Sequence, residues 1–225
     1  TEVELTVLRG KKNEEVTVVA VRDTIETQTV QTRMLEDHIG YLSVSEFDSV
    51  TYNQYVKGLN DLQGQGMKAL VVDLRGNPGG NLNTVCDILD LMLPKGLIVY
   101  TQDKKGEKRE MTSDEENQFT LPMTVLVNGN SASASEIYAG AIQDYGLGKI
   151  VGTQTYGKGV VQQIFDLRDG TCVKLTIAEY YTPKGRNING TGITPDVKVE
   201  YEPDEKSPEA DNQLDTAVRE LKKEL

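Results

Sequence analysis

Apolar and polar positions alternate from the first residues of the chain. Val3, Leu5 and Val7 are spaced two apart, as are Val16 and Val18, with Arg9-Gly10-Lys11-Lys12-Asn13 between the two sets. A period of two sends alternate side chains to one face, so this stretch predicts two strands joined by a turn. Residues 23–38 are polar and threonine-rich and predict a connector with one short strand. Ile39-Gly40-Tyr41-Leu42-Ser43-Val44 predicts another strand. Tyr52, Tyr55, Val56, Leu59 and Leu62 then fall at helical spacing and predict an amphipathic helix over 51–63, with Ser49 or Thr51 as its cap.

Ala69-Leu70-Val71-Val72-Asp73-Leu74 is a continuous apolar run of the kind buried on both faces of a parallel sheet. Arg75-Gly76-Asn77-Pro78-Gly79-Gly80 follows as a turn. Val85, Ile88, Leu89 and Met92 then mark a second helix, stopped by Pro94. Ile98-Val99-Tyr100 predicts a short strand, and Thr124-Val125-Leu126-Val127 a buried one that leads through Asn128-Gly129-Asn130 into a helix ending near Tyr145. Strands alternating with helices indicate an α/β layered core. Residues 160–166 and 171–181 read as a β-hairpin around Asp169-Gly170. A Gly-, Pro- and Asn-rich loop over 182–196 and a polar spacer over 202–210 come next. Leu214, Val218 and Leu221 share one face of a final helix.

With 225 residues, 37% hydrophobic and 26% charged, the chain can bury one sizeable core and is too apolar to be disordered. The net charge of −11 argues against a nucleic-acid partner, because no Lys/Arg stripe is present to neutralise phosphates. Lys104, Lys105, Lys108 and Arg109 alternate with acidic residues and read as a solvated hairpin. No apolar run reaches the ~20 residues of a membrane span. The first residues lack the pattern of a signal peptide, so the chain reads as a piece excised from a longer protein. Cys86 and Cys172 form no CxxC and have no histidine neighbour, which argues against a metal site. Their apolar neighbours predict buried free thiols, with a disulfide left open for an exported protein. His38 is the single histidine and lies in a polar stretch, so a serine hydrolase built on this chain would take another base.

Three segments can carry chemistry, and each has a plain structural alternative. Asp73-Leu74-Arg75-Gly76-Asn77-Pro78-Gly79-Gly80 is a glycine turn before a helix, able to bring backbone N–H groups to an oxyanion or merely to turn the chain. It matches neither GxGxxG nor a Walker A loop. Ser131-Ala132-Ser133-Ala134-Ser135-Glu136 sits at a strand-to-helix junction that can expose a hydroxyl beside free helix N–H groups. Ser133 with Glu136 also fits the S-x-x-E capping box, a purely structural role. Gly157-Lys158-Gly159-Val160-Val161-Gln162 places a lysine among glycines and apolar residues. That lysine is either a solvated turn residue or a general base whose pKa is lowered by burial.

Together the three segments, in this order and spacing, resemble the signature blocks of the carboxyl-terminal processing (tail-specific) serine peptidases. Tyr181-Thr182-Pro183 with Gly185-Arg186, Gly192-Ile193-Thr194-Pro195-Asp196, and Gly40-Tyr41-Leu42 are similar to further blocks of that family. The resemblance covers the chain from about residue 23 onward. It implies a crotonase-like (ClpP/crotonase-type) layered α/β core with added β-hairpins and a C-terminal helix. It implies Ser133 as nucleophile, Lys158 as base, Gln162 as the residue orienting that lysine, and the N–H groups of Gly79 and Ala134 as the oxyanion hole. No cofactor or metal is implied. The partners implied are protein or peptide substrates, exported or partly unfolded and cut near their C-termini, and the setting lies outside the cytoplasm. Membrane association through segments outside this chain, and an oligomer, are left open.

The family carries a PDZ domain before the core, and residues 1–22 resemble only its last strands. Residues 23–201 would then be the peptidase core, and 202–225 a spacer and helix packing on it. Two competing readings share the scaffold. A crotonase-like acyl-CoA enzyme would use carboxylates rather than Ser133 and Lys158, and a non-catalytic peptide- or ligand-binding relative would form no acyl-enzyme.

Overall fold

The computed structural model describes residues 1–114, 116–203, 207 and 210–225. β1 (Glu2–Arg9) and β2 (Glu14–Val21) form the expected hairpin, in register from Glu2 opposite Val21 to Arg9 opposite Glu14. Leu5 faces Val18 and Val7 faces Val16. Opposed residues share a face, so one side of the hairpin is apolar. These strands form a two-stranded sheet of their own.

The threonine-rich connector holds β3 (Val30–Met34) and one 3-10 turn, Glu36–His38, before β4 (Ile39–Val44). α1 (Thr51–Gly64) follows at the predicted place, but the cap differs from expectation. Val50 occupies the N-cap and makes no side-chain bond there. The Thr51 hydroxyl instead accepts the Asp48 N–H at 2.9 Å and donates to the Glu46 carbonyl at 3.0 Å, bracing the loop before the helix.

β5 (Ala69–Asp73), α2 (Leu82–Met92), β6 (Gly96–Asp103), β7 (Lys108–Ser113), β8 (Met123–Val127), α3 (Ala134–Tyr145) and β9 (Gly148–Gly152) come next. β10 (Val160–Asp166), β11 (Cys172–Tyr181), β12 (Val197–Lys198) and α4 (Asn212–Leu221) complete the chain. The central sheet has the order β12-β9-β8-β5-β4-β3 and is parallel except for the β3–β4 pair. A second, antiparallel sheet has the order β10-β11-β6-β7. β6 is longer than the predicted three residues because the charged segment folds back as β7 and extends its ladder. The spacer expected over 202–210 falls, at 204–206, 208 and 209, outside the described residues.

Strand alternation sorts the core into two layers. Leu70, Val72, Val125 and Val127 face α1, α2 and α3, whose Tyr55, Leu59, Leu62, Val85, Ile88, Leu89, Ile137 and Ile142 fill the main core. Val71, Leu126 and Val151 point the other way, where Ala217 and Leu221 of α4 cover them. Every residue of β5 and β8 is therefore buried, as a strand between two layers requires. Both cysteines are free. Cys86 is buried in α2, and that burial, with Asp87 nearby, pushes its thiol up to about 12. Cys172 is exposed, contrary to expectation, because β11 pairs with β6 only from Ala178 to Tyr181 and its first half belongs to a projecting hairpin.

Candidate active site

β5 and β8 are adjacent and parallel, so the turns that follow them emerge side by side at the carboxyl edge of the sheet. Such edges are where open α/β sheets bind ligands. Asn77 joins the two turns. It is fully buried, and its side chain donates to the Val44 carbonyl at 2.9 Å and accepts the Gly79 N–H at 2.8 Å. Its own carbonyl receives the Ala132 N–H at 3.0 Å and the Ser135 hydroxyl at 3.0 Å. The Ser131 hydroxyl donates to the Leu74 carbonyl at 2.7 Å.

The three alternating serines therefore differ in kind. Ser131 and Ser135 are fully buried, and their hydroxyls are consumed by backbone carbonyls of the facing turn. Ser133 is half-buried and sits at φ 55°, ψ −113°, a conformation costly for a residue with a Cβ. It is the N-cap of α3, and the Glu136 carboxylate accepts its N–H at 2.8 Å. The capping box predicted by S-x-x-E is thus present, but its hydroxyl side is loose, with no full cap hydrogen bond from the Ser133 side chain. The Ala134 N–H, in the buried first turn of α3, has no acceptor among the described residues.

Gly79 lies against this serine at φ 101°. A Cβ there would come within 2.8 Å of the Ser133 Cβ and 2.9 Å of the Ala134 nitrogen, so only glycine leaves that space open. The structure thus brings Gly79, Ser133 and Ala134 together, although the Gly79 N–H is engaged by Asn77.

Lys158 is brought to the same helix end by its backbone. Glu136 is fully buried, and Oε2 accepts the Lys158 N–H at 2.8 Å as well as that of Ser133. Oε1 accepts the Gly157 N–H at 2.6 Å and the Thr155 hydroxyl at 2.6 Å. Thr155 Oγ1 in turn accepts the Ile193 N–H at 2.6 Å, which ties in the Gly192-Ile193 block. Gly159 is pressed against that loop, since a Cβ there would lie 2.2 Å from the Asn189 nitrogen. The Lys158 side chain is exposed, against the burial expected of a lysine base, and makes no hydrogen bond or ion pair among the described residues. Gln162 is exposed on β10, opposite Thr176, and its side chain is likewise unpaired among the described residues.

Behind the first turn, Arg75 is held between two carboxylates. It reaches Asp73 Oδ2 at 2.6 Å, and Asp211 through Oδ2 at 2.7 Å and Oδ1 at 3.0 Å. Burial alone would lower the pKa of the guanidinium, but bonds to Asp73 and Asp211 outweigh it and hold the pKa above its ordinary value. Burial would raise Asp211, but Arg75 and the helix amides it caps hold it below its ordinary value.

The model of peptidase family S41 matches residues 38–199, which include every segment just described except Asp211. The chain belongs to peptidase family S41. Among S41 relatives it is similar to the carboxyl-terminal-processing protease of Picosynechococcus sp., 40% identical over 89% of this chain and 49% of the relative. It is also similar to that of Synechocystis sp., 42% identical over 72% of this chain and 38% of the relative. The chain thus spans half or less of these relatives. Among solved structures it resembles a photosystem II D1 C-terminal processing protease, with a TM-score of 0.72 and 30% identity over 89% of this chain and 56% of that one. The mixed α/β fold is therefore that of S41 processing proteases.

Sequence reasoning missed Glu136 and Thr155 as parts of the site. Glu136 was read only as the partner in a capping box. A buried acid three residues beyond a candidate nucleophile was the available signal.

Proposed function

We propose that this chain is the catalytic core of a serine endopeptidase that hydrolyses peptide bonds near the C-termini of exported or partly unfolded proteins, with Ser133 as nucleophile and Lys158 as base. The observation that carries the reading is the contrast among the serines. Of the three, Ser133 alone has a hydroxyl that makes no full hydrogen bond among the described residues, on a strained turn at a helix N-terminus beside Gly79. Nucleophiles at strand-to-helix elbows are held in that way. The similarity to carboxyl-terminal-processing proteases supports carboxyl-terminal processing as the activity.

In this mechanism Ser133 Oγ attacks the scissile carbonyl carbon and its proton passes to Lys158 Nζ. Negative charge on the carbonyl oxygen meets the Ala134 N–H and, once it exchanges Asn77 for the substrate, the Gly79 N–H. The C–N bond breaks as Lys158 returns the proton to the departing amine. Water then attacks the acyl-enzyme and gives a proton to Lys158, the C–Oγ bond breaks as Lys158 passes that proton to Ser133 Oγ, and the carboxylic acid is freed. Gln162 orients the lysine amine. Lys158 must be neutral to act, and a bound polypeptide covering its exposed side chain supplies desolvation. The strand–helix succession of the central sheet supports a crotonase-like core. Among the described residues the apolar face of β1–β2 joins neither core cluster, which supports its reading as the last strands of a PDZ domain. The setting proposed is outside the cytoplasm.

The test is cleavage of an unfolded protein by the chain, by Ser133→Ala and by Lys158→Ala, with the products read by mass spectrometry. Cleavage by the parent that is lost in both variants is expected. Cleavage that survives Ser133→Ala, or tight binding of coenzyme A without any cleavage, overturns the proposal.

A further inference from the structure

We infer that Glu136 is a positioning residue that sets Lys158 against Ser133, acting through Thr155 and the backbone rather than on the substrate. The inference rests on the Ser133/Lys158 reading. Glu136 is fully buried, and its two oxygens receive four hydrogen bonds of 2.6–2.8 Å. A helix cap needs only the bond to the Ser133 N–H. The other three run to Thr155, Gly157 and Lys158, on the segment that carries the base, so one carboxylate holds both halves of the site.

The division between its oxygens sharpens the point. Oε2 bridges the amides of Ser133 and Lys158, so these backbones cannot separate without stretching a bond to one atom. Oε1 holds Gly157 and Thr155, and Thr155 passes the restraint to Ile193. Carboxylate bonds to N–H groups in a buried setting are strong and directional. No polar atom of Glu136 remains for a substrate. Its effect must therefore fall on alignment in the transition state, and misplacement by about 1 Å costs roughly 10²-fold in rate.

The experiment uses Glu136→Gln, together with Thr155→Ser and Thr155→Val, in the full chain. Glu136→Gln keeps the shape but turns an NH2 toward N–H donors. It is expected to lower kcat by roughly 10²-fold with KM little changed. Thr155→Ser, which keeps the hydroxyl, should retain parent kcat, and the isosteric Thr155→Val should lose roughly tenfold. Amide hydrogen exchange at Gly157 and Lys158 is followed in the same proteins, with loss of protection expected in Glu136→Gln. A folded Glu136→Gln with parent kcat overturns the inference, as does unchanged protection of those amides. If Glu136→Gln fails to fold, equal kcat in Thr155→Val and Thr155→Ser overturns it. If the parent chain cleaves nothing, the Ser133/Lys158 reading is what falls, and the amide exchange still decides whether Glu136 clamps the two segments.

Discussion

The two halves of the site are built on opposite plans. On the serine half, side chains are committed: Asn77, Ser131 and Ser135 are buried, Arg75 is half-buried, and all four spend polar atoms on neighbouring segments. On the lysine half the backbone is committed, and the side chains of Lys158 and Gln162, unlike that of Thr155, make no hydrogen bond among the described residues. Gly157, Lys158 and Gly159 are pinned by Glu136 and by the loop at Asn189, while the side chains of Lys158 and Gln162 stand exposed. On the proposed mechanism, a nucleophile on a strained turn needs support from every side, whereas a base that must lose and regain a proton needs a fixed root and a movable tip.

The largest effect should come from the serine half. Arg75→Met would strand two carboxylates whose side chains are only 7% and 23% exposed. Breaking such a pair costs about 3–5 kcal/mol, readable by urea unfolding. A loss under about 1 kcal/mol would mean that the turn does not depend on Arg75. Next comes the lysine backbone. Gly159→Ala forces a methyl against the Asn189 backbone and should cost about 1–3 kcal/mol. Activity should fall further than stability does, and equal losses would remove the distinction drawn here.

A smaller effect is expected from acid. Bonds to Lys149 and then Lys223 hold Glu220 at about 2 instead of an ordinary 4.5, and Asp211 is also depressed. Both carboxylates belong to α4, Glu220 within it and Asp211 as its cap. Folded values below unfolded ones mean that this support is complete above pH 4.5 and is lost as pH falls toward about 2. Melting curves across that window should show the parent losing stability faster than Glu220→Gln; parallel curves would contradict the assignment. The smallest effect on stability, within about 0.5 kcal/mol, is expected of Lys158→Met, although it abolishes cleavage. A large change in melting would mean that the lysine tip is structural after all.

The sequence made the layers legible because β5 and β8 are continuous apolar runs and the helices keep their spacing. Local motifs also made Ser133 and Lys158 candidates, and the family resemblance added Gly79, Ala134 and Gln162. The sequence did not reveal β12, which has only two residues, or β9, where Ile150-Val151 is an apolar pair between Lys149 and Gly152 rather than a continuous run. Nor did it reveal that Cys172 would be exposed, because Cys172-Val173 reads as apolar whether or not a second sheet covers it. Above all, it could not reveal Glu136 as a clamp. A capping box is a local pattern, whereas the bonds to Thr155, Gly157 and Lys158 span 19 to 22 residues and exist only once β9 is in place.

The bond from Arg75 to Asp211 bears on how the protein is made. The partners are 136 residues apart, so at ribosomal speeds of about 5–20 residues per second Arg75 emerges roughly 7–27 seconds before its second carboxylate. During that interval the turn carrying Gly79 lacks a brace that the finished fold gives it. A nascent S41 core would therefore gain this brace only once α4 has been synthesised and docked.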